Sequence, residues 1–206
     1  MKMSTATSLV LKCPFCGATK EVVKPNAKIT PGGILWSDGV YEDLVAPTPS
    51  PIQKCPNCGD YYFLDEAESV ESDHETDETG NLSLKDTMPV YQQFKEAEMS
   101  QEQRKVMYLT IIRAFNDEYR EHPGAVFYEG VGLYVIDKIS KELINFENVD
   151  IVLKGELLRE VRHYDESIAL LEKAKKEQPE KGWMIDQIIE QAKNRNYKVF
   201  ELRMAE

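Results

Sequence analysis

Histidine is scarce in this 206-residue chain, basic charge is in deficit, and no apolar run approaches a membrane span. Each shortage excludes something. The 3 histidines, at positions 74, 122 and 163, do not pair at metal-ligand spacing, which removes the histidine-rich zinc centres of hydrolases. With 25 Lys and Arg against 36 Asp and Glu, the net charge is −11. A field of that sign repels phosphate backbones unless a local basic patch overrides it. Neither a glycine-rich phosphate loop nor a nucleophile–base motif is present. A transmembrane helix needs ~20 consecutive apolar residues, which the chain lacks. Residues 1–12 lack the apolar core of a secretory signal, so a cytoplasmic chain with reduced thiols and no membrane association is expected.

Cysteine is scarce too, and its placement is informative. All 4 cysteines fall in two copies of one phrase, CPFCG at 13–17 and CPNCG at 55–59. Two thiolates two residues apart can share one ion, and the glycine that follows supplies the positive φ that closes such a turn. Cys13, Cys16, Cys55 and Cys58 therefore give four soft ligands. Tetrahedral sulfur coordination in a chain without redox features favours a single zinc ion over iron. Two other readings compete. A redox dithiol at CPFC leaves the second, matching phrase unexplained, and paired disulfides conflict with a reducing compartment. Because four cysteines fill the tetrahedron, the zinc is expected to be structural, stapling residues 1–64, which are too few to bury a large core by themselves.

The 38 residues between Cys16 and Cys55 exceed what a minimal zinc ribbon needs. Thr30-Pro31-Gly32-Gly33, Ile34-Leu35-Trp36, Ser37-Asp38-Gly39 and Val40-Tyr41 read as turn, strand, turn, strand, a hairpin insertion. The prolines of Ala46-Pro47-Thr48-Pro49-Ser50-Pro51 enforce extended backbone after it. Trp36 is expected to cover the small core, with contact to a ligand as the other reading.

Charge is distributed unevenly. Residues 65–88 carry nine acidic side chains against Lys85 alone, which predicts a solvated acidic linker or loop. A cation site at Asp73, His74 and Asp77 competes with plain solvation there, and solvation is the commoner fate of charge runs. Residues 1–64 hold six Lys against five acids. Lys12, Lys20, Lys24, Lys28 and Lys54 on one face would make a nucleic-acid contact surface, although the net charge opposes it.

From residue 89 the apolar period becomes helical. A short helix is expected over 89–99. Ser100 and Gln103 then form a capping-box pattern, with Tyr108, Ile112, Phe115 and Tyr119 on one helical face and His122-Pro123-Gly124 as the stop. Ile136, Ile139, Leu143 and Phe146 mark a second stripe, and Leu153, Leu157, Leu158 and Val161 a third. Asn116, Asp117, Arg120 and His122 gather near one helix end. A polar network tying that end to the next loop is the preferred reading, and acid–base catalysis the alternative.

Residues 148–181 resemble one tetratricopeptide repeat. Gly155 stands at the close-packing point, Tyr164 at the turn, Ser167 at the crossing, Leu171 and Ala174 on the buried stripe, and Pro179 at the exit, with Asp165 available to cap the second helix. Ile151 and Lys154 depart from the repeat pattern. Such solenoids need about three repeats for a continuous core, so a compact bundle is expected, closed by a helix carrying Trp183, Met184, Ile185, Ile188, Ile189 and Ala192. The order of parts resembles a family of bacterial proteins in which a CPxCG zinc ribbon with a GG-x-LWSDG-like insertion precedes a helical domain with tetratricopeptide-like character. Asn116 to Arg120 match its ND-x-x-R phrase, and residues 156–166 match its ELLRE-x-x-x-(Y/F)-DE phrase. This resemblance implies a fold and carries no activity with it.

The fold class expected is therefore α+β: a zinc-ribbon β domain at 1–64 with a hairpin insertion, an acidic linker or loop at 65–88, and an all-α bundle at 89–206 containing one tetratricopeptide-like hairpin. The leading functional reading is a non-enzymatic, cytoplasmic zinc-binding module that contacts another protein through the exposed sides of helices 148–161 and 165–177. A nucleic-acid-associated accessory protein using the ribbon is the alternative, and a hydrolase-type site near Asp117 and Arg120 ranks third.

Overall fold

The computed structural model describes residues 7–24, 32–42, 48–76, 78–122 and 131–204. Seven strands precede six α-helices, so the chain is α+β. Strands β1 (Thr7–Lys12) and β2 (Thr19–Val23) flank the first cysteine turn, and β5 (Ile52–Lys54) and β6 (Tyr61–Phe63) flank the second. The insertion forms β3 (Ile34–Leu35) and β4 (Tyr41–Glu42), and β7 (Glu68–Glu75) follows β6 after a single 3-10 turn. Pairing is antiparallel throughout. β1 lies between β2 and β7 in one sheet, while β3–β4 and β5–β6 are separate hairpins.

Residues 65–88 therefore differ from the expected linker or loop. Glu68–Glu75 form a full strand on β1, and helix α1 (Leu84–Phe94) starts inside the same stretch. Local composition was outweighed by two things. β1 offers an open edge for backbone pairing, and Ser83 with Asp86 builds a reciprocal cap at the start of α1. The helix expected over 89–99 accordingly begins five residues earlier. Asp73 and His74 lie exposed on β7, and Asp77 of that candidate cation site lies outside the described residues.

Helix α2 (Gln101–Glu121) starts at the Ser100–Gln103 capping box and buries Tyr108, Ile112, Phe115 and Tyr119 as its period requires. His122 is its C-cap, while Pro123 and Gly124, like Thr30-Pro31 and Ala46-Pro47, lie outside the described residues. α3 (Val131–Ile144) buries Ile136, Ile139 and Leu143 against α2. The core does not stop at the helices. Ile52, Tyr61 and Phe63 of the β5–β6 hairpin pack into the same cluster as Val90, Phe94, Met107 and Ile111, with the Phe63 and Phe94 rings 5.3 Å apart.

α4 (Ile151–Glu160), α5 (Tyr164–Glu177) and α6 (Gly182–Lys193) complete the fold. Gly155 is where α4 and α5 touch. A β-carbon placed there would stand 2.5 Å from Leu171 Cδ2, and Ser167 Oγ donates to the Gly155 carbonyl at 2.7 Å. Asp165 does not cap α5. His163 occupies that position without a side-chain capping bond, and Asp165 falls within the first turn, where its charge still suits the helix dipole. Ile185, Ile188 and Ile189 of α6 close a second cluster with Leu171 and Ala174, and Ala192 is buried on the same helix. The chain then returns to the insertion. Ser37 N–H donates to the Phe200 carbonyl at 2.9 Å, and Leu202 N–H to the Leu35 carbonyl at 2.8 Å.

Candidate metal centre and an adjoining buried network

The two CPxCG turns fold alike. Gly17 and Gly59 take φ of 75° and 80°, and their N–H groups donate to the Cys13 and Cys55 carbonyls at 3.0 and 3.1 Å. Each turn thereby aims two sulfurs outward. The sheet and the β5–β6 hairpin bring the turns together, so the four Sγ atoms lie within 4.8 Å of one another. No other group of three or more His, Cys, Asp or Glu side chains among the described residues could hold a metal ion.

The donor set fits zinc. A Zn–S bond of about 2.3 Å in a tetrahedron sets sulfurs about 3.8 Å apart. Cys13 and Cys58 are separated by 3.8 Å, and Cys16 and Cys55 by 3.5 Å. All four are free thiols, since a disulfide would need about 2.05 Å. Cys13 and Cys55 are buried beside Tyr62, whereas Cys16 and Cys58 face solvent. The surroundings favour thiolate at selected sulfurs. The Ala18 N–H and the Asn57 amide lower Cys16 to about 6. Burial opposes ionisation of Cys55, yet the N–H groups of Cys58 and Asn57 outweigh it and lower that thiol. Negative charge cannot accumulate on four adjacent sulfurs without a cation to balance it, and a divalent ion supplies that balance.

The polar residues near the end of α2 belong to a network that reaches farther than the next loop. Asn116, 1 % exposed, donates from Nδ2 to Asp38 Oδ2 at 3.0 Å and to the Glu160 carboxylate at 3.2 and 3.3 Å. Arg120 bonds both Asp38 and Asp117 and lies over the Trp36 ring. In α4, Arg159 pairs with Glu156 where both side chains are fully buried. It also donates to the carbonyls of Asn196 and Lys198. The anchor of the α2 end is thus the β3–β4 turn and α4. Residues 123–130, which follow that end, lie outside the described residues. His122 is exposed at the helix terminus. Trp36 is half-buried against the core and donates from Nε1 to Glu42 at 3.1 Å.

No local sequence pattern gathers Asp38, Glu156, Arg159 and Glu160 into one cluster. The usable signal was the charged residues inside ELLRE, where Glu156, Arg159 and Glu160 interrupt an apolar helical run. Burial pushes the Glu160 carboxyl well up, and the negative fields of Glu156 and Asp38 add to it, with Arg159 and the Asn116 amide opposing. Burial and the neighbouring carboxylates thus favour the protonated form of Glu160 over its ionised form.

The ribbon lysines also find partners. Lys12, Lys20, Lys24 and Lys54 pair with Glu68, Glu78, Glu71 and Asp86, at 2.9, 3.9, 2.6 and 2.8 Å. Lys28 lies outside the described residues. Comparison with models of protein families, with curated proteins and with solved structures finds no match to this chain.

Proposed function

We propose that this chain is a zinc-stapled module for protein–protein interaction. The observation that carries the metal assignment is the convergence of four thiols from two matching turns at tetrahedral spacing. Cys13, Cys16, Cys55 and Cys58 would hold one zinc ion and complete its coordination, so its part is to fix the ribbon and not to activate water. The Asp117–Arg120 region supports the same non-catalytic reading, because the Arg120 guanidinium is already engaged by two carboxylates and an indole.

The helical hairpin supplies the partner surface, but from one helix only. Apart from Ile151, Leu153 and Lys154, which are half-buried, α4 is buried along its whole length. α5 instead exposes Glu166, Ala169, Glu172, Lys173 and Lys176. A face of mixed charge with few apolar groups suits a polar, reversible contact. Nucleic-acid binding by the ribbon is the second reading, and the four lysine–carboxylate pairs count against it, since each neutralises a charge that a phosphate would use.

The test combines metal analysis with partner capture. One zinc per chain is expected, together with a partner that is captured by the native protein and lost on Lys173→Glu with Lys176→Glu. Absence of zinc, or an iron absorption band, would overturn the metal assignment. Salt-sensitive binding of duplex DNA or single-stranded RNA at sub-micromolar concentration, with no protein partner, would put the accessory-protein reading first.

A further inference from the structure

We propose that the groove between α1, α2 and α3 binds a small organic anion, a carboxylate or phosphate carried on a planar body. The groove is a cavity of about 270 Å³ lined by Tyr91, Arg104, Tyr108, Tyr134, Lys138 and Glu142 among others. It lies among the helices, and nothing in the interaction reading uses it.

Two cations face this space, each held by a tyrosine hydroxyl, Arg104 by Tyr108 and Lys138 by Tyr91. Neither Arg104 nor Lys138 makes an ion pair among the described residues. In a chain with 36 acids and a net charge of −11, two such cations at one cavity form a local positive field that an anion can enter. Of the two carboxylates at the cavity, Glu142 adds its field to Lys138 and accepts a hydrogen bond from the Tyr108 hydroxyl. Burial, with Glu142 beside it, pushes that hydroxyl up to about 12, so Tyr108 stays a donor. At the rim, Lys95 has its own acid in Glu96, 3.9 Å away.

The aromatic groups specify the rest of the ligand. Lys138 Nζ stands 5.7 Å from the Tyr91 ring centroid, and Tyr134 is 69 % exposed. A large aromatic side chain left open to water beside a cavity is a surface on which a planar body can stack. The guanidinium fork of Arg104 matches two oxygens of one head group, and Lys138 adds a point charge. At 270 Å³ the space suits a ligand on the order of ten non-hydrogen atoms.

The larger cavity beside the second cysteine turn, about 610 Å³, has no such surplus. Lys54 and Asp86 pair across it at 2.8 Å, and Lys20 and Glu78 at 3.9 Å. Its charges are matched internally, which leaves an anion nothing to neutralise.

Benzoate and phenyl phosphate are the probes, titrated calorimetrically into the zinc-loaded full chain at low ionic strength. We expect one saturable site with a dissociation constant of about 1 mM or tighter for at least one of them. Binding of benzoate alone assigns a carboxylate head group, and binding of phenyl phosphate alone assigns a phosphate. Arg104→Gln and Lys138→Gln should each weaken binding about tenfold, the loss of one charge-assisted hydrogen bond. Lys105→Gln, on the same helix but paired with Glu102 at 2.7 Å, should leave it unchanged. Circular dichroism of each variant verifies the fold. Absence of binding by both probes up to about 10 mM, or equal affinity in folded Arg104→Gln and Lys138→Gln, would overturn the proposal.

Discussion

Lys12 Nζ meets Glu68 Oε2 at 2.9 Å although 56 positions separate the two residues. This pair, with those of Lys20, Lys24 and Lys54, makes the acidic segment the counter-charge of the cysteine-bearing strands. Exposed pairs of this kind add little to stability. Replacing Glu68, Glu71 and Glu78 together by Gln should therefore leave the thermal midpoint nearly unchanged while lengthening retention on a phosphate resin. Unaltered retention would show that the lysines are not held in check by those acids.

Asp86 is a different case because it is mostly buried. Burial alone would raise its carboxyl, but hydrogen bonds from Lys54, Ser83 and Tyr61 prevail and hold it well below the usual carboxylate range. A carboxylate with a depressed folded-state pKa contributes stability above its unfolded pKa of about 3.9, and that contribution is lost as pH falls through the folded value. Asp86→Asn should cost about 2 kcal/mol at pH 7, and that cost should shrink steadily as pH falls below about 3.9. Urea melts across that range give the comparison, and a pH-independent loss would rule out this account.

Glu160 carries the opposite sign. Its folded-state pKa is raised, so the folded protein binds a proton more tightly than the unfolded chain does, and stability falls as pH rises above about 4.3. Glu160→Gln keeps an acceptor for Asn116 and removes the titration. The variant should match the parent near pH 4 and exceed it at pH 8. A variant less stable at both values would mean that an ionised Glu160 is what the network requires.

The α4–α5 contact makes a steric prediction. With Leu171 Cδ2 2.5 Å from a β-carbon at position 155, Gly155→Ala forces the helices apart and should cost about 1–3 kcal/mol. Adding Leu171→Ala removes the clash, so the pair of changes should cost less than the sum of the two alone. Strict additivity in denaturant melts would contradict the close approach.

Removal of the proposed zinc ion should be felt in the helices as well. Ile52, Tyr61 and Phe63 are continuous with the helical core, and the turn between β5 and β6 carries Cys55 and Cys58. Chelation, or Cys55→Ser, is expected to lower the thermal midpoint of the helical signal together with loss of the ribbon. Zinc loss with an unchanged helical transition would show that the hairpin holds its place without the ion.

Much of this was legible in the residues. The cysteine turns, the Ser100 cap and the stripe from Tyr108 to Tyr119 each depend on neighbours within about one or two turns of chain, which periodicity and turn chemistry report directly. β7 and the Asp38–Asn116–Glu160 network depend on partners 44 to 78 positions away. An acidic run reads as solvated until the edge of β1 is known to face it, and a buried Glu160 reads as a surface residue until Asn116 is placed beside it.

The pairing of residues 200–202 with the β3–β4 insertion has a consequence for synthesis. Ser37 and Phe200 are 163 positions apart, so a ribosome releases the insertion long before the segment that borders it exists. Through that interval Leu35 and Ser37 expose an open backbone edge, and closing so long a loop is slow. A nascent chain would therefore hold its ribbon in an incomplete form until the last helix has emerged, and a chaperone that shields short strand edges would have its substrate there.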